Sequence, residues 1–166
     1  SISRMISSIS ARQGLLFCAL FSALALAAAL IGQFGFSLHP CDLCLYQRYP
    51  YAAIILIGGA GYALRLSPIG RRRLLLLCAL LFALDAGIAF YHTGVEYGWF
   101  PGPTACSSDA KAGQTLEEMR AAIMGAPLVT CAQAMATIFG LSMAAWNALA
   151  AGFAALAAFV AWRKAK

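Results

Sequence analysis

Charged residues are scarce in this chain. Asp, Glu, Lys and Arg make up 11% of its 166 residues, whereas 62% are hydrophobic. Soluble domains carry about 25% charged residues and are about half apolar. The mean hydropathy of +0.78 agrees with this contrast. The composition therefore excludes an ordinary soluble domain and indicates a membrane protein.

The hydrophobic residues are concentrated in four segments, each near the length of about 17–25 residues that a spanning helix needs. In lipid such segments must be helical, because an open strand would leave backbone groups unpaired. We predict an all-α membrane protein, a four-transmembrane-helix bundle forming one domain over residues 1–166, with the first segment retained as an anchor. The segments cover residues 15–36, 49–64, 74–92 and 142–162.

The basic residues predict how the bundle is oriented. Nine of the 12 Lys and Arg residues lie before the first segment, between the second and third, or after the fourth. The positive-inside rule assigns these connections to the cytoplasm. Both termini are then cytoplasmic, and loops at about 37–48 and 93–141 lie outside. The net charge of +6 reflects this topology rather than nucleic-acid binding.

The second outer loop contains one segment with a helical pattern, "TLEEMRAAIM" at residues 115–124. Thr115 and Glu118 have the spacing of a capping box, and Leu116, Met119 and Ile123 follow at helical spacing. This pattern predicts a short amphipathic helix lying on the membrane surface.

The topology separates the six cysteines into two kinds. Four lie on the outer side, where disulfides are permitted, and two lie within spans, where they are expected to be inert small hydrophobic residues. The outer four are Cys41, Cys44, Cys106 and Cys131, and the other two are Cys18 and Cys78. Asp85 also lies within a span, where an acid is costly. It is a functional candidate or a hydrogen-bonded group, and the sequence leaves that choice open.

Cys41 and Cys44 form a Cys-x-x-Cys pair within "HPCDLCLYQRYP". A c-type haem site is excluded because Leu45 follows the second cysteine. A four-cysteine zinc site is disfavoured because 24 residues separate Cys106 from Cys131, which fits no common ligand spacing, so we predict no metal. Two static disulfides remain an alternative, although a bond within so small a ring stabilises little. The pattern favours a redox-active pair.

Cys44 lies near the predicted start of the second span, where a helix N-terminus favours a thiolate. We therefore expect its pKa to be lowered. Arg48 comes four residues later and would share its helical face. Either it stabilises an anion there, or it is an interfacial arginine reaching lipid phosphates. Pro50 leaves two arrangements open: a helix that starts near Tyr49, or an earlier one that kinks.

Three stretches together resemble the DsbB family of bacterial disulfide bond formation proteins, and they span most of the chain. The resemblance implies a membrane thiol-disulfide oxidoreductase of the bacterial inner membrane. Such a protein reoxidises a periplasmic DsbA-like thiol oxidase and passes the electrons to a membrane quinone, either ubiquinone or menaquinone. The stretches are "CDLCLYQR", "FYHTGVEYGWFPGPTAC" and "VTCAQAMATIFGLSMAAWNAL".

The same resemblance assigns roles to individual residues. It implies that the first pair is coupled to the quinone and the second pair exchanges with the soluble partner, Cys106 taking the attack and Cys131 resolving it. It also implies a quinone site formed by Cys44, Arg48, His92 and Met143. A vitamin K epoxide reductase-like enzyme is the other alternative, but that family places its active pair at a later helix.

Overall fold

The computed structural model describes residues 10–103, 116–117, 120, 124 and 131–165. The chain is mostly helical, as predicted. The helices are α1 (Ala11–Gly35), α2 (Asp42–Tyr46), α3 (Arg48–Ala63), α4 (Pro68–Glu96) and α5 (Met143–Lys164), with a short hairpin of β1 (Thr137–Ile138) and β2 (Leu141–Ser142) before α5.

Within the described part of the chain, α1, α4 and α5 are long and apolar enough to cross a membrane. These helices contain most of the first, third and fourth predicted spans. The second predicted span, 49–64, corresponds to α3, whose 16 residues are slightly fewer than about 17–25. A helix at this place is confirmed, whereas its crossing of the bilayer stays a prediction.

Helix α4 is longer than the third hydrophobic segment at both ends. Ser67 caps its start by accepting a hydrogen bond from the Gly70 backbone N–H at 3.1 Å. Pro68 occupies the first turn, where a missing N–H costs nothing. At the other end the helix continues to Glu96, so His92 lies on a helix and not at the edge of a loop.

Small residues allow the helices to approach closely. A Cβ atom on Gly58 of α3 would lie 2.8 Å from the backbone oxygen of Leu15 in α1. Alanines of α5, including Ala154 and Ala158, are buried in the same core. Close contact through small residues is typical of membrane helices. Cys18 and Cys78 are fully buried, free thiols in this core, and their side chains are hydrogen-bonded to each other; that they are inert stays a prediction.

Arginine side chains tie the helix ends together at one end of the bundle. Arg12 of α1 donates to the Tyr62 carbonyl at 3.2 Å, and Arg72 of α4 donates to the Trp162 carbonyl at 3.4 Å. The guanidinium groups also lie over the rings of the same two residues. The Cys-x-x-Cys pair, which lies between the C-terminus of α1 and the N-terminus of α3, is therefore at the opposite end.

The hairpin before α5 was not predicted, so the fold is not purely α-helical. Phe139 and Gly140 both have positive φ, 51° and 79°, as a two-residue type I′ turn requires. The Trp146 indole N–H donates to the Ile138 carbonyl at 2.9 Å and holds the hairpin on α5. Strands of two residues are too short to give a period-2 pattern, which explains why the sequence does not show them.

The predicted amphipathic helix at 115–124 falls mostly outside the described residues. Leu116, Glu117, Arg120 and Met124 are helical and exposed. The remainder of the segment, and its position on the membrane surface, stay a prediction.

Candidate active site

The two cysteines of the Cys-x-x-Cys pair lie on a helix of their own. Cys41 is the N-cap of α2, and its carbonyl accepts a hydrogen bond from the Leu45 N–H at 3.1 Å. This single turn brings the sulfur atoms of Cys41 and Cys44 to 3.2 Å. Both are free thiols, so the pair is a dithiol positioned to form or break a disulfide.

When this dithiol loses one proton, the negative charge lies on Cys41. The Cys44 thiol donates to the Cys41 sulfur and, despite burial, lowers the pKa of Cys41 to about 4. The Nε2 atom of His92, at 3.5 Å, also stabilises the Cys41 thiolate. The same S–H donation, together with burial, raises the pKa of Cys44.

This order differs from the sequence-based expectation that Cys44 would have the lowered pKa. The difference arises because α2 is separate from α3 and begins at Asp42, so that Cys41 caps it. The backbone N–H of Cys44 then points at the Cys41 sulfur.

Cys131 lies beside this pair. It is 1% exposed, disulfide-bonded, and packed in one cluster with Cys41, Leu43 and Val95. The predicted partner-facing cysteine, Cys106, lies outside the described residues. Cys131, the described member of the second predicted pair, therefore lies in one cluster with Cys41 of the first.

A cavity of about 260 Å³ opens next to the dithiol. Of the two sulfurs, Cys44 contributes to its wall, together with Arg48, His92 and Met143. All four residues that the resemblance assigns to quinone binding thus line one cavity, and their roles stay predictions. Small residues of two helices form much of the remaining wall: Ala25, Ala28, Ala29, Gly32, Ala144 and Ala150. Such a wall accommodates a flat apolar ring.

Arg48 reaches the cavity by a route that the sequence did not indicate. It is the first residue of α3, whereas Cys44 belongs to α2, so the two do not share one helical face. Its Nη1 donates to the Gln33 side-chain oxygen at 2.6 Å, which fixes the guanidinium against α1. Pro50 falls in the first turn of α3, which is one of the two arrangements that the sequence left open.

A chain of hydrogen bonds runs from the site into the centre of α4. Gln47 Nε2 lies 2.9 Å from His92 Nδ1, and Asn147 Nδ2 donates to Gln47 Oε1 at 2.7 Å. Asn147 Nδ2 also donates to Asp85 Oδ2 at 3.1 Å, and Tyr51 Oη donates to Asn147 Oδ1 at 2.5 Å. Asp85 is therefore hydrogen-bonded to the neighbouring helix α5.

Four polar residues around the site are not predicted from the sequence: Gln33, Gln47, Tyr51 and Asn147. Asn147 carried a usable signal, because a polar residue inside an apolar segment needs a partner and marks a candidate site.

Three potential metal ligands also meet at this site. The sulfurs of Cys41 and Cys44 and a ring nitrogen of His92 lie within 4.8 Å of one another. Three protein ligands suffice for a catalytic zinc ion. The expectation that the protein uses no metal stays a prediction.

Comparison with known proteins identifies the family. The family described as "Disulfide bond formation protein DsbB" matches residues 11–162. A disulfide bond formation protein B of Methylococcus capsulatus is 33% identical over 146 residues, covering 82% of this chain and 85% of its own. That of Dechloromonas aromatica is 34% identical over 135 residues, covering 76% and 78%.

An uncharacterised protein of Rickettsia prowazekii is 28% identical over 130 residues, covering 77% of this chain and 74% of its own. No solved structure matches the chain. The matches agree with the resemblance seen in the sequence and with the three apolar helices. The chain belongs to the DsbB family, the membrane proteins of disulfide bond formation.

Proposed function

We propose that this protein reoxidises a periplasmic DsbA-like thiol oxidase and passes the two electrons to a membrane quinone. Family membership supports a membrane protein of disulfide bond formation. The observation that carries the finer proposal is the placement of the dithiol. Cys41 belongs to the same buried cluster as Cys131, and Cys44, which packs against that cluster, is the one sulfur of the pair that lines the cavity.

The cavity fits the head group of a quinone. A quinone ring is flat and apolar, with carbonyl oxygens that accept hydrogen bonds, and the cavity combines alanine and glycine walls with the donors of Arg48, His92 forming part of the wall. Arginine keeps its charge at any working pH and can stabilise negative charge that develops on an oxygen. When bound, the quinone supplies a two-electron acceptor. The lining does not distinguish ubiquinone from menaquinone.

The exchange steps follow from the packing of the sulfurs. Attack by a partner thiolate on Cys106 forms a mixed disulfide and releases Cys131 as a thiolate. Cys131 then attacks Cys41 of an oxidised Cys41–Cys44 bond, since Cys41 shares its buried cluster and only Cys44 of the pair lines the cavity. Their new bond frees Cys44 as a thiolate at the cavity wall, where the electrons leave.

The low pKa of Cys41 favours a second way of opening the Cys41–Cys131 disulfide, in which Cys41 is the leaving group. A thiol with a lower pKa is the better leaving group in exchange. The partner's second thiolate attacks the partner sulfur of the mixed disulfide, which leaves the partner oxidised and releases Cys106 as a thiolate. Cys106 then attacks Cys131, re-forms their bond and releases Cys41 as a thiolate. The result is a reduced Cys41–Cys44 pair beside a disulfide-bonded Cys131, which matches the state of the described cysteines. The Cys44 proton can then pass to Cys41 over 3.2 Å, giving a Cys44 thiolate at the cavity.

We also propose that the site faces the periplasm and that both termini are cytoplasmic. The positive-inside rule supports this orientation, because the arginines that tie the helix ends together lie at the end of the bundle opposite the dithiol.

The experiment is direct. The purified protein is mixed with a reduced DsbA-like protein and a soluble quinone, and quinone absorbance is followed. We expect quinone reduction that Cys44→Ser abolishes and Cys78→Ser, which removes a thiol buried in the core, leaves in place. Absence of reduction above the uncatalysed background would overturn the proposal.

A further inference from the structure

We propose that Asp85 is a positioning residue for the redox pair. It acts through the amides of Asn147 and Gln47, and the group that it positions is the imidazole ring of His92. These hydrogen bonds fix the tautomer of His92 whose ring proton lies on Nε2, the atom that faces Cys41. This inference rests on the proposed role of the Cys41–Cys44 pair in thiol-disulfide exchange.

The first step is the orientation of the Asn147 amide. Asp85 is fully buried, and an ionised carboxylate can only accept hydrogen bonds, so it selects the NH₂ end of that amide. Tyr51 supports the same orientation because its hydroxyl donates to Asn147 Oδ1. An inverted amide would bring two oxygens together in a buried place, which is costly.

The second step carries this orientation to His92. The Asn147 NH₂ group also donates to Gln47 Oε1, so the NH₂ group of Gln47 must point the other way, toward His92 Nδ1. An NH₂ group only donates, and a neutral imidazole has one donor and one acceptor nitrogen. Nδ1 is therefore the acceptor, and the ring proton lies on Nε2.

The third step is the contact with the thiolate. His92 Nε2 lies 3.5 Å from the Cys41 sulfur and 3.6 Å from Glu96 Oε1, and both atoms are acceptors. The opposite tautomer would present a lone pair to both of them. Among the described residues, the titratable groups around Cys41 are Cys44, Tyr91, His92 and Glu96, with the disulfide-bonded Cys131 in the same cluster.

The hydrogen bonds from Asp85 to His92 orient the side chains of the site and do not conduct protons. The two side chains between them are amides, which do not gain or lose protons near neutral pH. The Asp85 Oδ1 atom has no hydrogen-bond partner among the described residues, so this acid is costly to keep in a span. A role in setting the His92 tautomer gives a reason for that cost.

The test measures the Cys41 thiolate itself and needs neither quinone nor partner. The reduced protein is alkylated over a range of pH, and the Cys41 peptide is quantified by mass spectrometry. We compare the native protein with Asp85→Ala and with Asp85→Leu, because neither side chain has an atom that can accept the hydrogen bond from Asn147. Ser22→Ala is the matched control, because Ser22 is a fully buried polar residue of α1 whose hydroxyl has no hydrogen-bond partner among the described residues.

We expect both Asp85 variants to raise the midpoint of Cys41 alkylation by about one pH unit, as loss of one hydrogen bond to a charged group implies. The control should leave the midpoint unchanged. In ¹⁵N-histidine NMR spectra, His92 should show protonated Nε2 in the native protein and a mixture of tautomers in the variants. His39→Gln removes the signal of the only other histidine.

An unchanged midpoint and an unchanged tautomer in a folded Asp85 variant would overturn this inference. If instead the native protein showed no acid-shifted Cys41 thiolate, the proposed exchange role of Cys41 would fail first. The two failures are therefore distinguishable.

Discussion

Replacing Arg48 with alanine should weaken quinone use by about 10- to 100-fold. The guanidinium lines the cavity while one of its N–H groups is held by Gln33 at 2.6 Å, so the other donors are oriented before a ligand arrives. A hydrogen bond to a charged group contributes about 1.5–3 kcal/mol, and each 1.4 kcal/mol is a factor of ten. Arg48→Lys keeps the charge but cannot bond Gln33 and a ligand in the same fork geometry. We expect an intermediate loss for this variant.

The assay is quinone reduction measured over a range of quinone concentrations, with thiol-disulfide exchange at Cys131 followed separately on non-reducing gels. Exchange should remain largely intact in both Arg48 variants, because the loss is confined to the cavity. Arg65→Ala is the matched control, since Arg65 is an exposed arginine just beyond the other end of α3. If Arg48→Ala leaves quinone reduction unchanged at every concentration, the arginine is a lipid anchor and the site assignment is wrong.

Three further predictions test the exchange route, the thiolate and the packing. Cys131→Ser should trap a mixed disulfide between Cys106 and the partner on a non-reducing gel, whereas trapping through Cys131 in a Cys106→Ser variant would reverse the roles. The folded pKa of Cys41, about 4, lies below its ordinary value of 9.0. The thiolate should therefore add to the free energy of unfolding of the reduced protein. This contribution is complete above pH 9 and is lost as the pH falls toward 4. If Cys41→Ser gave denaturation curves with the same pH dependence, this prediction would be contradicted. Gly58→Leu should destabilise the protein by about 1–3 kcal/mol in denaturation assays, because even a Cβ there would lie 2.8 Å from the Leu15 carbonyl oxygen; unchanged stability would show that α1 and α3 can separate.

The helices were predictable because lipid leaves a long apolar segment few alternatives to a helix. The ends of the helices were less predictable. Ser67 and Pro68 start α4 ahead of the apolar run, and the end of the short α2 separates Cys44 from Arg48. The second of these boundaries matters for chemistry, because it places Cys41 at an N-cap and moves the lowered pKa to it.

The polar chain beneath the site was predictable only in part. Asp85 and Asn147 stand out as polar residues in apolar segments, which shows that each needs a partner. Which partner each finds depends on how α4 and α5 are rotated against each other, and nearly uniform apolar faces do not determine that rotation. The Asp85–Asn147 contact and its continuation to Gln47 therefore emerge only from the packed structure.

In the proposed function, the placement of the two sulfurs would give electron flow a direction. Cys41 is 5% exposed and belongs to one buried cluster with Cys131, and Cys44, which packs against this cluster, is the one sulfur of the pair that lines the cavity. If both sulfurs faced the cavity, a membrane oxidant and the Cys131 sulfur would compete for the same atom. Under the proposed function, exchange with protein thiols takes place at Cys41 and electron release at Cys44. Because one turn of helix joins the two, electrons entering from Cys131 would then leave only after the Cys41–Cys44 bond has opened.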